Sequence, residues 1–182
     1  MRVACIGSRN LRADQLELCE WIGRRLVERG NQVVTGGARG ADQAFMRGAA
    51  SVDASQLTVH VPWTSYEAGS RPTRCHVTSV ADDVTSREIE LAGLHPAYDR
   101  LGQGAQKLMW RNARIVLDCE VVIAWPRREG GQILGGTVHG MTVAKHLGKR
   151  VYDLSLETVR ESLTAKLSLE TVRERLKAKL SS

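Results

Sequence analysis

The sequence predicts an α/β domain in which a parallel sheet is covered by helices on both faces. Short β-type runs alternate with helical apolar patterns, and three of those runs end in glycine-bearing loops. One run, Val121–Trp125, is apolar throughout, as strands buried on both faces are. Right-handed crossovers then place every loop that follows a strand along one edge of the sheet, where open α/β folds bind ligands.

The elements follow in order. Arg2–Ile6 reads as a first strand ending in Gly7-Ser8-Arg9-Asn10, and Leu16, Cys19, Ile22 and Leu26 then recur at helical spacing as far as Gly30. Gln32–Thr35 reads as a second strand, closed by Gly36-Gly37-Ala38-Arg39-Gly40-Ala41-Asp42, before a small-residue helix through Ala44, Phe45, Ala49 and Ala50. Leu57–Val61 alternates as a third strand and stops at Pro62-Trp63. From Thr64 to about Gly104 the regularity fades, and Pro72 and Pro96 punctuate a loop-rich insertion with one short helix around Ser86–Leu94. A helix from Ala105 to about Leu117, the strand Val121–Trp125 closed by Pro126, and a loop from Arg127 to Gly136 come next. A helix through Met141, Val143, Ala144 and Leu147 and a last strand at Arg150–Leu154 complete a Rossmann-like sheet. Residues 1–154 are thus expected to form one domain and 155–182 a helical tail.

The tail is a tandem repeat: Leu154-Ser155-Leu156-Glu157-Thr158-Val159-Arg160-Glu161 returns as Leu167-Ser168-Leu169-Glu170-Thr171-Val172-Arg173-Glu174. Leu156, Val159, Leu163 and Leu167 form one helical stripe, while Leu169, Val172, Leu176 and Leu180 fall on the opposite face of a continuous helix. Either Ser168 caps a second helix that folds back, or one long helix bridges to a neighbouring subunit, so a homo-oligomer is expected.

A chain of 182 residues suits one domain and one site. With 42% hydrophobic and 25% charged residues it has the composition of a globular protein, and no apolar run approaches the ~20 residues of a membrane span. Met1–Gly7 turns to glycine too early for a signal peptide, so a cytoplasmic location and no membrane partner are expected. Cys5, Cys19, Cys75 and Cys119 are widely separated, which argues against a disulfide framework or a metal site. The net charge of +6 favours anionic partners, nucleotides or nucleic acid.

The candidate site follows from the convergent loops. Gly36-Gly37-Ala38-Arg39-Gly40 opens a helix, so unpaired N–H groups and the positive end of the helix dipole can face a phosphate. Gly135-Gly136-Thr137 repeats the device, with the Thr137 hydroxyl as N-cap or phosphate donor, and Gly7-Ser8-Arg9 completes the rim. Arg111, beside Asn112, offers a planar guanidinium to phosphate, and Asp42 either accepts from a ribose or caps its helix. Trp63 and Trp125 either stack a base or pack in the core, and His95 and His139 become acid/base candidates if they enter the cleft. The first strand lacks GxGxxG and no lysine-bearing P-loop occurs, which disfavours dinucleotide dehydrogenases and P-loop NTPases. No cofactor, metal ligand or catalytic set is assigned.

Gly7-Ser8-Arg9, Val34-Thr35-Gly36-Gly37-Ala38-Arg39-Gly40-Ala41-Asp42, Arg111-Asn112, Val122-Ile123-Ala124-Trp125-Pro126 and Gly135-Gly136-Thr137 together resemble the SLOG superfamily. That group includes LOG-type nucleotide phosphoribohydrolases, the DNA-processing protein DprA and nucleotide-sensing domains. The likeness spans about Met1 to Leu154 and is nearest to small, stand-alone members often carried by bacteriophages, in which His95-Pro96 and Lys107 with Arg111-Asn112 also have counterparts. It implies a nucleotide-derived phosphate ligand, held by Gly7, Ser8, Arg9, Gly36, Gly37, Ala38, Arg39, Gly40, Asp42, Arg111, Asn112, Gly135, Gly136 and Thr137. In LOG-type hydrolases a glutamate stands three residues after the threonine; here that place is Gly140, which leaves only Asp99 or Glu129 to supply a carboxylate. The expectation is therefore a non-catalytic sensor, or a protein that sequesters a signal of the ADP-ribose type. The alternatives are a DprA-like mediator that binds single-stranded DNA and a LOG-like N-glycosidase.

Overall fold

The structure, a computed structural model, describes residues 1–130 and 132–180, with side chains as far as Ser168. Six parallel strands form one sheet in the order β4 (His76–Ser79), β3 (Leu57–Val61), β2 (Gln32–Thr35), β1 (Arg2–Gly7), β5 (Val121–Trp125) and β8 (Arg150–Asp153). The chain builds outward from β1 in one direction and then returns to β1's other side with β5. Strand order therefore reverses between these two neighbours, which pair from Val3↔Val121 to Gly7↔Trp125. Open α/β sheets hold their ligand crevice outside the carboxyl ends of the strands at such a reversal.

Side-chain alternation along β1 divides the core in two. Val3 and Cys5 face a layer built by α1 (Ala13–Glu28) and α2 (Ala41–Asp53), which supply Cys19, Ile22, Leu26, Phe45 and Met46. Ala4 and Ile6 face the opposite layer, made by α4 (Ser86–Ala92), α5 (Gln103–Leu117) and α6 (Gly136–His146), with Leu91, Ile115, Val116, Met141 and Val143. The N-terminus of α4 is closed by a capping box: Thr85 Oγ1 accepts from the Glu88 amide at 3.2 Å and Glu88 Oε2 from the Thr85 amide at 2.7 Å. Glu88 also takes two hydrogen bonds from Arg114, at 2.5 and 2.9 Å, which locks α4 to α5.

Two segments differ from the sequence reading, and the tail follows one of its two alternatives. Beyond the short helix expected around Ser86–Leu94, which is α4, the stretch from Thr64 to Gly104 holds β4 and the short helix α3 (Val80–Asp83). Residues 127–136 contain a two-stranded antiparallel hairpin, β6 (Arg127–Glu129) with β7 (Gln132–Leu134), outside the main sheet. The tail is a single helix, α7 (Glu157–Leu180), so Ser168 lies inside a helix and caps nothing. Leu163 and Leu167 of its first stripe are buried in the α1 and α2 layer; the second stripe, Leu169, Val172, Leu176 and Leu180, lies outside the described side chains. Among the described residues no helix is long and apolar enough to cross a membrane.

Candidate functional site

A cleft of about 490 Å³ opens at the carboxyl edge of the sheet, where the loops after β1 and β5 diverge. Its lining brings together Gly7, Ser8, Arg9, Ala38, Asp42, Arg111, Asn112, Gly135, Gly136 and Thr137 from four separate stretches of chain. Its volume lies within the ~300–1,000 Å³ of small-ligand pockets. Gly36, Gly37, Arg39 and Gly40 do not line it.

The second glycine loop is closed by an internal knot. The Asp42 carboxylate accepts from the Gly7 amide at 3.0 Å and the Ala38 amide at 3.3 Å, and lies 3.4 Å from Arg111 Nη1. The first amide of α2, that of Ala41, donates to the Ser8 carbonyl, and the Ser8 amide to the Trp125 carbonyl. The amides of Gly7, Ser8, Ala38 and Ala41 are thus engaged within the protein. Asp42 does not cap α2, because Gly40 holds that place. Burial pushes its carboxyl above the usual range, against the pull of Arg111 and the surrounding amides. A Cβ at position 36 would stand 1.4 Å from Arg111 Nη1, so a side chain there would push the guanidinium away from Asp42. Arg39 points outward and pairs with Glu67 at 3.2 Å.

The start of α6 is arranged differently. Gly135, at φ +88°, turns the chain into the helix, and its carbonyl accepts from the Val138 amide. The amides of Gly136 and Thr137 come before the helical ladder begins, and both residues line the cleft at the positive end of the dipole. Asn112 fixes this turn by donating from Nδ2 to the Gly136 carbonyl at 3.2 Å. Around it the lining is cationic: Arg9 and Arg127 join Arg111, whose Nε is buried without a hydrogen-bond partner among the described residues. Asp42 is the one carboxylate in the lining.

Of the other candidates, His95 enters the cleft. The Ala97 amide donates to its Nδ1 at 3.2 Å, which places the proton of the neutral ring on Nε2. His139 is buried behind it, ring centroids 6.1 Å apart, with Nε2 donating to the Leu91 carbonyl. Trp125 is core, with the Arg160 guanidinium 5.7 Å from its ring. Asp99 and Glu129 do not line the cleft, and Gly140 is packed so that a Cβ would meet Ile6 Cδ1 at 2.7 Å. Sequence reasoning missed Ile6, Asn10, Leu108, Met109, Arg127 and Leu134. Only Arg127 carried a signal, a charge just past the end of an apolar strand. Among the described residues no cluster of His, Cys, Asp and Glu could hold a metal ion.

A doubly wound sheet with a cationic, amide-lined crevice at its strand-order reversal defines a Rossmann-type binding domain. The family model of DNA recombination-mediator protein A matches residues 1–66, which contain β1 to β3 and the first two glycine loops. DNA processing protein A from Helicobacter pylori, described for its single-stranded DNA binding mode, superposes with a TM-score of 0.60 at 16% identity. That match covers 83% of this chain and 63% of the other, so this chain spans less than two thirds of that protein. The X-ray structure of the structural-genomics target TM1055 gives 0.53 at 17% identity, covering 82% and 71%. No protein of curated function matches the sequence. Over most of its length the chain shares the Rossmann-type fold of these two proteins, and its residues 1–66 are similar to the recombination-mediator family.

Proposed function

We propose that this domain binds a nucleotide or nucleotide-derived phosphate ligand in the cleft, as a sensor or sequestering protein rather than an enzyme. The observation that carries the reading is the start of α6: two backbone amides and the Thr137 hydroxyl meet Arg9 and Arg127 in a cavity of nucleotide size. Binding without turnover follows from the carboxylates. The only one in the lining, Asp42, is held by Arg111 and two amides, and position 140 is a glycine against Ile6. His95 alone supplies no group to stabilise an oxocarbenium-like centre. Titration calorimetry with adenosine 5′-monophosphate, ribose 5-phosphate and inorganic phosphate tests the proposal. Binding of the phosphate esters, weakened in Thr137→Val by roughly 0.5–1.5 kcal/mol, supports it; absence of binding to all three rejects it. Release of adenine, followed by chromatography, would reject the non-catalytic part.

The match of residues 1–66 to the recombination-mediator family favours a second reading, single-stranded DNA. Arg9 and Arg127, from the loop after β1 and the hairpin after β5, line the cleft beside Arg111, and the loops after β2 and β3 carry Arg39 and Arg71. Affinity for an oligonucleotide that falls steeply with salt would support this reading, and a flat response would exclude it.

A further inference from the structure

The turn that follows β3 carries two aromatic side chains next to the residues that line the cleft: Tyr66, which packs in part against the α1 and α2 core cluster, and Trp63. Trp63 is half-buried and, among the described residues, belongs to neither core cluster. Its contact is Tyr66, edge to face at 5.3 Å, and the Tyr66 amide donates to the Trp63 carbonyl. Tyr66 in turn touches two residues of the cleft lining. Arg9 Nη2 donates to its hydroxyl at 3.1 Å, and the Arg111 guanidinium carbon lies 5.9 Å from its ring centroid.

This turn is braced as a rigid piece. Glu67, next to Tyr66, holds the left-handed conformation at φ +49°, which a non-glycine residue keeps only where its surroundings over-determine it. Those surroundings are the glycine loop and α2. Arg39 pairs with the Glu67 carboxylate at 3.2 Å, Gln43 Nε2 donates to Ser70 Oγ at 2.9 Å, and Arg71 closes the turn on the Thr64 carbonyl at 2.7 Å. Arg39, absent from the cleft lining, acts here as a strut.

We propose that Trp63 and Tyr66 form a stacking ledge for the aromatic base of the ligand whose phosphate the cleft binds, an assignment that rests on the function proposed above. Arg9 and Arg111 each face both the cleft and Tyr66, so a ligand anchored at the start of α6 reaches the ledge across them. A flat base is the chemistry that fits: stacking on an aromatic face needs no hydrogen-bond pattern, and the neighbouring guanidiniums complement both the phosphate and the π face.

Calorimetry on the full chain separates the parts. Wild-type protein should bind adenosine 5′-monophosphate about tenfold or more tightly than ribose 5-phosphate, a preference lost in Trp63→Leu and Tyr66→Leu and kept in Tyr66→Phe. Ribose 5-phosphate affinity should stay unchanged in Trp63→Leu, and thermal unfolding should show each variant folded. If wild-type protein binds both ligands equally, or Trp63→Leu keeps the preference, the ledge is overturned while the phosphate site stands. If wild-type protein binds neither, both fall together.

Discussion

Asp42 and Arg111 lie 3.4 Å apart beneath the glycine loops, with their side chains 3% and 7% exposed, and join α2 to α5 across the floor of the cleft. Buried ion pairs of this kind resist the loss of one partner, because the other is left charged without water. The two losses are not equivalent here. Asp42 can take up a proton, and burial already raises its carboxyl, whereas a guanidinium stays charged. Asp42→Asn should therefore destabilise the domain by about 3–5 kcal/mol in urea unfolding at neutral pH, and Arg111→Met by less. A double variant should cost less than the sum of the two. Strict additivity would show that the pair is not coupled.

Position 140 offers a second test. Ile6 Cδ1 stands 2.7 Å from where a Cβ would be, so a side chain at 140 would have to displace the end of Ile6, which lines the cleft. Gly140→Glu should cost roughly 1–3 kcal/mol through overpacking, and Ile6→Ala should cost less in the Gly140→Glu chain than in the parent. A Gly140→Glu variant as stable as its parent would show that the space was free.

Why was the convergence of the loops legible in sequence, and the roles of individual residues less so? The former needs only that strands be parallel, which Val121–Trp125 and the alternation with helices declare. The latter depends on partners distant in the chain. The amides of Gly7 and Ala38 look available until Asp42 is seen to take both, and Asp42 looks like a cap until Arg111, 69 residues later, is placed beside it. Strand β4 escaped for another reason. His76, Val77 and Thr78 are exposed, so no alternation of burial marks them, and only pairing with β3 makes them a strand. The tail's helical period was plain, but the surface it meets is written in α1.

Acid should weaken the fold through His139. Burial pulls its imidazole from an ordinary 6.5 down to about 4, and nearby His95 adds to the effect against the bond to the Leu91 carbonyl. Between these values the unfolded chain binds a proton that the folded chain refuses, so stability rises with pH across that window and is lost as pH falls from about 6.5 to 4. The loss should amount to at most roughly 3 kcal/mol. Urea unfolding of His139→Phe beside the parent checks this: the variant should lose most of the slope above pH 4.5. An unchanged slope would assign it to other groups.

The repeated tail makes the last prediction. Helix α7 packs on α1, and Leu163 and Leu167 enter the same core cluster as Ile22 and Leu26 at 6% and 5% exposure, whereas Leu156, at the head of the same stripe, is 44% exposed. The tail is further pinned by Arg160, whose Nη1 donates to the Leu154 carbonyl at 2.8 Å. Truncating a buried leucine removes its transfer free energy and leaves a cavity, so Leu163→Ala should cost about 2–5 kcal/mol, and Leu156→Ala within about 0.5 kcal/mol of nothing. Equal effects of the two substitutions in denaturant unfolding would mean that the tail does not dock in this register.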